Sequence, residues 1–178
     1  MNMRFRALLA AFALAGAGWL AVVPVSAQSK TGGCALEQIG GTDRHRVRCT
    51  NGLSIVVEPG ARYTLLDRDR NGETDAVRLA EKALLLEFPD GGAPAGFEVI
   101  TPQAIAAVRG TKWAVDVEAE KTSVFVERGS VAVARESGEH RVTLSAGDGV
   151  DVGPGSGPLT VKQWPARRVT ALMARFGR

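Results

Sequence analysis

The stretch VITPQAIAAVRGTKWAVDVEAEKTSVFVERGSVAV, residues 99–133, decides the fold of this chain. Apolar residues recur in it at every second position, in short runs around Ile105, Trp113 and Val124. A period of two with Val and aromatic residues is typical of half-buried β-strands. Gly110 and Gly129 separate the runs, so we expect either tight turns there or a close approach of two backbones. Because the stretch contains no His and no Cys, it indicates architecture and not catalysis.

The same alternation continues on both sides of this stretch. Apolar runs and turn residues succeed one another at intervals of about 8–12 residues, which predicts an all-β domain over residues 46–153. Asn51-Gly52 predicts a hairpin turn within it. The run Ala83–Phe88 is favoured as a strand, although its lead-in Glu81-Lys82 is compatible with a helix. The strand-turn units suit either a short solenoid or a rolled β-sandwich.

Three segments carry an ordered set of motif residues: Thr101-Pro102 followed by Val108–Val115, then Thr122–Val133, then Val142–Val152. In this order they resemble the signature of the FecR domain family, with Trp113 where that family usually has Phe. The resemblance implies an all-β fold of short stacked strands in two sheets. It also implies that seven motif residues define the fold through a fixed turn and a buried ring: Thr101, Pro102, Arg109, Gly110, Thr111, Trp113 and Gly129.

Arg109 has a second interpretation. An arginine between Val108 and Gly110 at a strand end could bind an acidic ligand. It could equally lock the turn by binding carbonyl groups and a carboxylate such as that of Asp116. We expect the structural role.

Residues 1–27 have the pattern of a secretory signal peptide. Arg4 and Arg6 give a positive start, an apolar run follows from Ala7 to Val23, and Val25–Ala27 offers a small-residue cleavage site. The competing interpretation is an uncleaved anchor, because the run is near the lower limit for spanning a bilayer. We expect export to the periplasm of a Gram-negative type bacterium, or secretion, with no transmembrane span after cleavage.

Cys34 and Cys49 are the two cysteines of the chain. Because an exported chain meets an oxidising compartment, one disulfide between them is the simplest assignment, and free thiols are the alternative. Closing this loop would stabilise the fold by about 3 kcal/mol in the chain-entropy model. Residues 28–45, around Cys34, are polar and Gly-rich, and we expect them to form a loosely held arm.

The formal charge of +3 is unevenly distributed along the chain. Without the two leader arginines, 20 of the 22 basic residues remain against 19 acidic ones. Five of them fall in the last twenty residues, which hold no acid. The body of the chain therefore does not show the concentrated basic face with aromatics that nucleic-acid binding needs, and we expect no nucleic-acid partner.

The most acidic turn of the chain, DRDRNGETD at residues 67–75, matches the first nine positions of an EF-hand-type calcium loop. The bidentate Glu expected at the twelfth position is missing, because Arg78 stands there. The alternative is a hairpin turn in which Asp and Asn side chains cap backbone donors. We expect no cofactor unless this loop binds calcium, for which the candidate ligands are Asp67, Asp69, Asn71, Glu73 and Asp75.

The end of the chain predicts one helix. Gly153–Pro158 breaks regular structure, so we expect residues 154–164 to be a linker. In residues 165–178 Pro165 suits a helix start, and apolar residues recur at intervals of three and four. This basic amphipathic helix either caps an open end of the β-domain or contacts a partner or an anionic membrane surface. The candidate contacts for the second possibility are Arg167, Arg168 and Arg175.

The sequence contains no set of residues typical of catalysis. Neither His has a base partner near it, no Ser-His-Asp set is visible, and Gly91-Gly92 precedes Pro94 instead of a helix. We therefore expect a non-catalytic protein.

The FecR resemblance implies signal transduction across the cell envelope. Regulators of this family sense an occupied outer-membrane transporter and control a sigma factor through a cytoplasmic N-terminal segment. Six residues precede the apolar run at Ala7, so we expect that segment to be missing here. The chain is then expected to be an exported FecR-like module that binds an envelope or outer-membrane protein through strand edges or its helix. The alternative is a cell-wall or glycan-binding module, which would line a groove with aromatics.

Overall fold

The computed structural model describes residues 33–89 and 96–178, and of residues 109–111 the backbone alone. Within these residues the chain is mostly β with one C-terminal helix, as the sequence predicted. The predicted leader, residues 1–27, lies outside the described residues. The elements are β1 (Cys34–Gln38), β2 (His45–Cys49), β3 (Ser54–Val57), β4 (Arg62–Leu66), β5 (Ala76–Glu87), β6 (Glu98–Ile100), β7 (Ala104–Glu118), β8 (Lys121–Arg135), β9 (Val142–Ser145), β10 (Asp148–Val152), β11 (Val161–Gln163) and α1 (Ala166–Arg175).

The described strands form one connected sheet. Its order is β1-β2-β3-β5-β6-β7-β8-β10-β11, with β4 added to β5, β9 added to β8, and a further pairing of β5 with β7. The pairing of β5 with β6 is parallel, and the other pairings are antiparallel. The two sheets that the family resemblance implied are therefore joined into one, because three long strands run through both halves of the sheet.

These three strands bend and change neighbours along their length. The first half of β5 pairs with β4 and β6, and its second half pairs with β3 and β7. The change falls at Lys82, whose φ is 62°. In β7 the register with β8 shifts between Arg109 and Lys112, and β8 contains Gly129 with a φ of 89°. Glycine adopts such a φ readily, so Gly129 lets β8 bend without ending.

The tight turns predicted at Gly110 and Gly129 are therefore wrong, since both residues lie inside continuous strands. The chain instead reverses at the two-residue turn 119–120, between the paired residues Glu118 and Lys121. The helical alternative for Glu81-Lys82 is also wrong, because this pair lies within β5. A bulge interrupts the alternation of apolar and polar residues in the same way as a turn does, so the local pattern does not distinguish the two.

The inner face of the sheet holds the main core. Trp113, Phe88 and Phe97 form an aromatic cluster there, with ring centroids 5.0–6.3 Å apart, and all three are almost completely buried. The indole Nε1 of Trp113 has no hydrogen-bond partner among the described residues. In the first half of β7 Ala106 faces this core, whereas Ile105, which the alternation had marked, is only half-buried.

The N-terminal arm predicted over residues 28–45 is more regular than its composition suggested. It contains β1 and the first residue of β2, which pair antiparallel with Cys34 opposite Cys49. These two cysteines form a disulfide that ties β1 to β2. The hairpin predicted at Asn51-Gly52 is present and joins β2 to β3. Pairing along β2 gives the polar arm the backbone partners that its own sequence does not predict.

The linker predicted over residues 154–164 also contains a strand. β11 lies in it and pairs with β10. Before β11, Arg135 donates hydrogen bonds to the carbonyl oxygens of Gly153 (3.0 Å) and Gly157 (2.8 Å). Trp164 follows β11, and α1 begins directly after Pro165, as the sequence predicted. The segment before the helix is thus fixed to the sheet at several points.

Candidate functional site

Helix α1 packs across the outer face of the sheet, on the side away from the main core. Its buried residues Leu172 and Met173, together with Phe176 directly after the helix, belong to a second apolar cluster. The floor of this cluster is a row of directly paired residues on adjacent strands, namely Val56, Leu85, Ala114 and Phe125. The helix is docked, as the capping interpretation expected, but it covers a sheet face instead of an open end.

An acidic row, defined by Glu58, Asp116 and Asp151, runs beside this apolar floor. Asp116 on β7 and Asp151 on β10 lie on one line with β8 between them, and Glu58 follows β3 on the same line. Adjacent strands are about 4.8 Å apart, which separates Asp116 from Asp151 by about 9.6 Å. Arg168 and Arg175 are seven residues apart on α1, or about 10.5 Å along its axis. The two spacings match, so the arginines reach different carboxylates of the acidic row.

Arg175 makes the more buried set of these contacts. Its guanidinium donates hydrogen bonds to both carboxylate oxygens of Asp116 (2.6 and 2.9 Å) and to both of Glu58 (2.6 and 3.0 Å). The side chains of Asp116 and Glu58 are only 10% and 15% exposed. Burial by itself lowers the pKa of Arg175, but the hydrogen bonds and charges of these two acids outweigh it and raise the pKa above its ordinary value. Without Arg175, two nearly buried carboxylates would lose their counter-charge.

Arg168 binds the other end of the acidic row. It donates two hydrogen bonds to the Asp151 carboxylate, one of them 2.9 Å long, and one of 3.3 Å to the Ser123 hydroxyl. Its guanidinium also lies 3.4 Å from the centroid of the Trp164 ring, a cation–π contact. Burial by itself raises the pKa of Asp151, but the hydrogen bonds from Arg168 and Ser123 and the nearby positive charge hold it below its ordinary value.

Trp164 connects this arrangement to the sheet. Its ring stacks on Phe125 with centroids 5.2 Å apart and is 9% exposed. A Cβ at Gly149 of β10 would overlap the indole nitrogen, so the ring can lie on the strand only because residue 149 has no side chain. Gly149 therefore sets where the chain leaves β11 and enters α1.

A groove of about 430 Å³ remains between α1 and the acidic row. Its lining is balanced in charge, with Asp116, Glu118 and Asp151 against Lys121, Arg168 and Arg175. Of the three arginines predicted to contact a partner, Arg168 and Arg175 bind the acidic row within the chain, and Arg167 is exposed. The structure therefore does not bring the three together as one basic surface.

The candidate calcium ligands lie in one turn between β4 and β5. The Asp67 carboxylate accepts a hydrogen bond of 3.0 Å from the backbone N–H of Asn71, and Asp69 accepts one of 2.9 Å from its side-chain amide. Asp75 pairs with Arg68 at 3.2 Å. Within residues 33–89 and 96–178, no three Asp, Glu, His or Cys side chains are grouped to hold a metal ion. The contacts are those of a capped hairpin turn, and calcium binding stays a prediction.

The threonine and proline of the first motif segment lie at the turn between β6 and β7. The Thr101 hydroxyl donates to the Ala104 carbonyl oxygen and accepts from the Ala104 N–H, both at 2.9 Å, while Pro102 is exposed. The hydroxyl of Thr122, from the second motif segment, lies 2.8 Å from that of Thr101. This part of the motif therefore positions β7 and β8 relative to each other.

The remaining motif residues are also part of the framework. The backbone of Arg109–Thr111 lies in β7 where the register with β8 shifts, Trp113 fills the core, and Gly129 marks the bend of β8. Asp116, which the sequence suggested as a partner of Arg109, binds Arg175, and the side chain of Arg109 lies outside the described residues. The motif residues that the structure describes thus lie in the framework of the fold.

Sequence reasoning missed the acidic row. Its members are distant in the chain and become neighbours only through strand pairing, which alternation does not reveal. One signal was present: Arg168 and Arg175 lie on the same helix face as the buried Leu172, so acids had to be expected beneath the helix. Asp116, between two apolar residues of β7, was the matching signal on the sheet.

The family model described as FecR protein matches residues 38–132, from the end of β1 into β8. This match spans more than half of the chain. The chain belongs to the FecR family. The acidic-row residue Asp151, Trp164 and helix α1 lie beyond the residues that match the FecR model, so the docking of the helix is a feature of this chain that the family match does not describe.

Two solved structures resemble the fold of this FecR-family chain. Both are crystal structures, at 1.65 and 2.50 Å resolution, of a protein from Parabacteroides distasonis ATCC 8503 that is provisionally described as an anti-sigma factor. Each is 22% identical, with TM-scores of 0.57 and 0.58 over 73% and 79% of this chain. The matches span 60% and 64% of those chains. At this identity the likeness shows the fold alone.

A comparison with curated proteins gives no match. Within the described part of the chain, no helix has the length and apolar character needed to cross a membrane.

Proposed function

We propose that this chain is an exported, non-catalytic FecR-family module that takes part in signalling at the bacterial cell envelope by binding another protein. Membership of the FecR family supports a signalling or regulatory role. The provisional description of the similar structures as anti-sigma factors points in the same direction. The leader pattern of residues 1–27 and the disulfide between Cys34 and Cys49 support export into an oxidising compartment.

The open edge of β1 is the observation that supports binding of a protein partner. Among the described residues β1 pairs with β2 alone, so the outer backbone groups of residues 35–38 have no described strand beside them. Leu36, in the middle of this edge, is 48% exposed, which is more than any other large hydrophobic side chain of the described residues. A partner strand added here would gain backbone hydrogen bonds and cover Leu36. The disulfide holds the edge in place and reduces the ordering cost of binding.

A glycan-binding role has less support, because it would need aromatic rings with a free face along a groove. Trp113 lies in the core, and Trp164 is packed against Phe125 and the Arg168 guanidinium. Among the aromatic rings that line the grooves described above, this leaves Tyr63, in a groove of about 330 Å³ beside β4. A protein partner at a strand edge is therefore the better-supported function.

Site-specific photo-crosslinking tests this function. A photoreactive amino acid replaces Leu36 in the full chain with its leader, and the matched control replaces Thr143, an exposed residue of the edge strand β9. We expect a discrete adduct at position 36, identified by mass spectrometry as one envelope protein, that is absent at position 143. Adducts with peptidoglycan fragments alone, or equal protein adducts at both positions, would contradict the proposal.

A further inference from the structure

We infer that a basic groove at one corner of the outer sheet face binds an acidic, extended peptide segment of a partner protein. The basic groove has a volume of about 310 Å³ and is formed by β2, β3, β5 and the residue at the end of the described chain. Its basic side chains are those of Arg46, Arg48 and Arg178, and its apolar lining includes Val56 and Leu85. The inference rests on the proposed function in one respect, which is that the ligand is a protein segment.

The two arginines of β2 have a defined spacing. Arg46 and Arg48 lie on the outer face of the strand, since Val47 between them is buried in the main core. Side chains two residues apart on a strand are about 6.6 Å apart. Strand register places Arg46 in line with Val56, and Arg48 in line with Ser54. The basic groove therefore has one row with an apolar floor and one row with a polar floor.

The positive charge of the basic groove is incompletely neutralised. Glu37 lies opposite Arg46 in the β1–β2 register, yet its carboxylate binds Arg48 at 2.8 Å. Glu87, the acid in the groove lining, lies 3.7 Å from Arg128. Arg46 has no ion pair with any residue of the described ranges 33–89 and 96–178. It is thus a cation that an external carboxylate can reach.

The end of α1 adds to this charge. The guanidinium of Arg44 lies against the backbone of Gly177, directly after the helix. There it balances the carbonyl groups at the helix C-terminus, which carry partial negative charge. Arg178, one residue further, lines the basic groove and forms no ion pair among the described residues. The negative helix end is therefore compensated locally, and Arg46 and Arg178 remain for a ligand.

An extended acidic peptide fits this arrangement because its spacing matches that of Arg46 and Arg48. In an extended chain, side chains at positions i and i+2 point to the same side, about 6.6 Å apart. Two carboxylates at that spacing can each pair with one guanidinium in the two-bonded geometry that arginine favours, one at Arg46 and one at Arg48 in exchange for its exposed contact with Glu37.

Fluorescence anisotropy with the full chain tests the inference. The probe is a fluorescein-labelled peptide GEVEVEG, and its control is the glutamine counterpart GQVQVQG. We expect Arg46→Glu and Arg178→Glu each to weaken binding of the acidic probe by roughly tenfold or more. Arg141→Glu, which makes the same charge change at an exposed residue before β9, should leave the affinity within about twofold. Higher salt should weaken binding, because the contacts are electrostatic.

Three results would overturn the inference. They are equal affinity of Arg46→Glu and the unmodified chain, equal binding of the acidic and glutamine peptides, or Arg46-dependent binding to vesicles with anionic lipid without peptide binding. Thermal unfolding of each variant shows whether it is folded, and Arg46→Gln serves as the milder variant if Arg46→Glu is not. Crosslinking at Leu36 does not depend on this groove, so failure here and failure of the proposed function are distinguishable.

Discussion

The side-chain oxygens of Thr101 and Thr122 lie 2.8 Å apart in the buried interior, although 21 residues separate them in the chain. Thr101 belongs to the turn before β7, and Thr122 is the second residue of β8. The amide oxygen of Gln103 lies 2.7 Å from the same Thr122 hydroxyl. Two separate segments of the FecR motif thus meet in one hydrogen-bonded group, which explains why hydroxyl residues stand at these positions in an otherwise apolar region.

Thr122→Val should destabilise the protein by about 1–2 kcal/mol, because it keeps the shape of the side chain but removes the hydroxyl that joins Thr101 to Gln103. The free energy of unfolding, measured with urea, checks this. The control is Thr143→Val on the exposed side of β9, which should change stability by no more than about 0.5 kcal/mol. Equal effects of the two substitutions would show that the buried hydroxyl group contributes nothing special.

Trp113→Ala should destabilise the domain by about 3–5 kcal/mol, because it removes the ring between Phe88 and Phe97 and leaves a cavity. Trp113→Phe should cost no more than about 1.5 kcal/mol, since it keeps a ring and removes an indole N–H that has no partner among the described residues. Denaturant unfolding of the two variants measures the difference. Comparable losses in both would mean that Nε1 has a partner that stabilises it.

Gly149→Ala should destabilise the protein by about 1–3 kcal/mol, because the new methyl group overlaps the Trp164 ring and displaces the start of α1. Gly153→Ala is the matched control, since a Cβ there meets no atom within 4 Å, and its effect should stay within about 0.5 kcal/mol. Thermal unfolding compares their stabilities, and tryptophan fluorescence reports whether the ring moves. An unchanged emission spectrum in Gly149→Ala would contradict the role given to this glycine.

The contact of Asp151 with Arg168 should make part of the stability depend on acid pH. The pKa of Asp151 is lowered in the folded protein from an ordinary value of 3.8. The contact therefore contributes fully above about pH 5 and is lost as the pH falls below the ordinary pKa and through the folded one. The contribution is small, because both side chains are partly exposed.

Urea unfolding of the unmodified chain and of Asp151→Asn at several values between about pH 2 and pH 7 tests this dependence. The stability difference between them should be constant near neutrality and shrink in acid. Glu120→Gln, at the exposed turn between β7 and β8, is the matched control for the removal of one carboxylate. A difference that stays constant down to the lowest pH would exclude the proposed effect of Asp151.

Asp67→Ala should destabilise the protein by about 1 kcal/mol, because the Asp67 carboxylate accepts hydrogen bonds from the N–H groups of Asn71 and Gly72. If the turn is only a capped hairpin, this loss is the same with and without millimolar calcium, and calorimetric titration with calcium gives no heat. A calcium-dependent rise in Tm that Asp67→Ala abolishes would instead establish the calcium loop that the sequence suggested.

Features that depend on neighbouring residues were predictable from the sequence. The hairpin at Asn51-Gly52 follows from its turn chemistry, and α1 follows from Pro165 and the apolar spacing after it. The pairing of Cys34 with Cys49 needed only the cysteine count and the expected compartment. The physical causes of the hairpin and of the helix lie within a few residues of the sequence. Two cysteines allow a single intramolecular pairing.

Features that depend on strand pairing were not predictable in this way. The continuous strands β7 and β8 looked like separate short runs, because the bends at residues 109–112 and at Gly129 carry the residues of ordinary turns. The acidic row needs five strands, β3, β5, β7, β8 and β10, aligned in register before Glu58, Asp116 and Asp151 become neighbours. Register is fixed by the whole sheet, and a single strand sequence does not contain it.

The hairpin of β7 and β8 closes through the two residues Ala119 and Glu120, so it forms with a small loss of chain entropy. Docking of helix α1 costs more chain entropy, because its docking surface combines strands that are far apart in the chain. We therefore expect a kinetic order in which the hairpin forms early and the helix docks last. Substitutions of Arg168 or Arg175 should then mainly speed unfolding, and leave the rate of folding nearly unchanged.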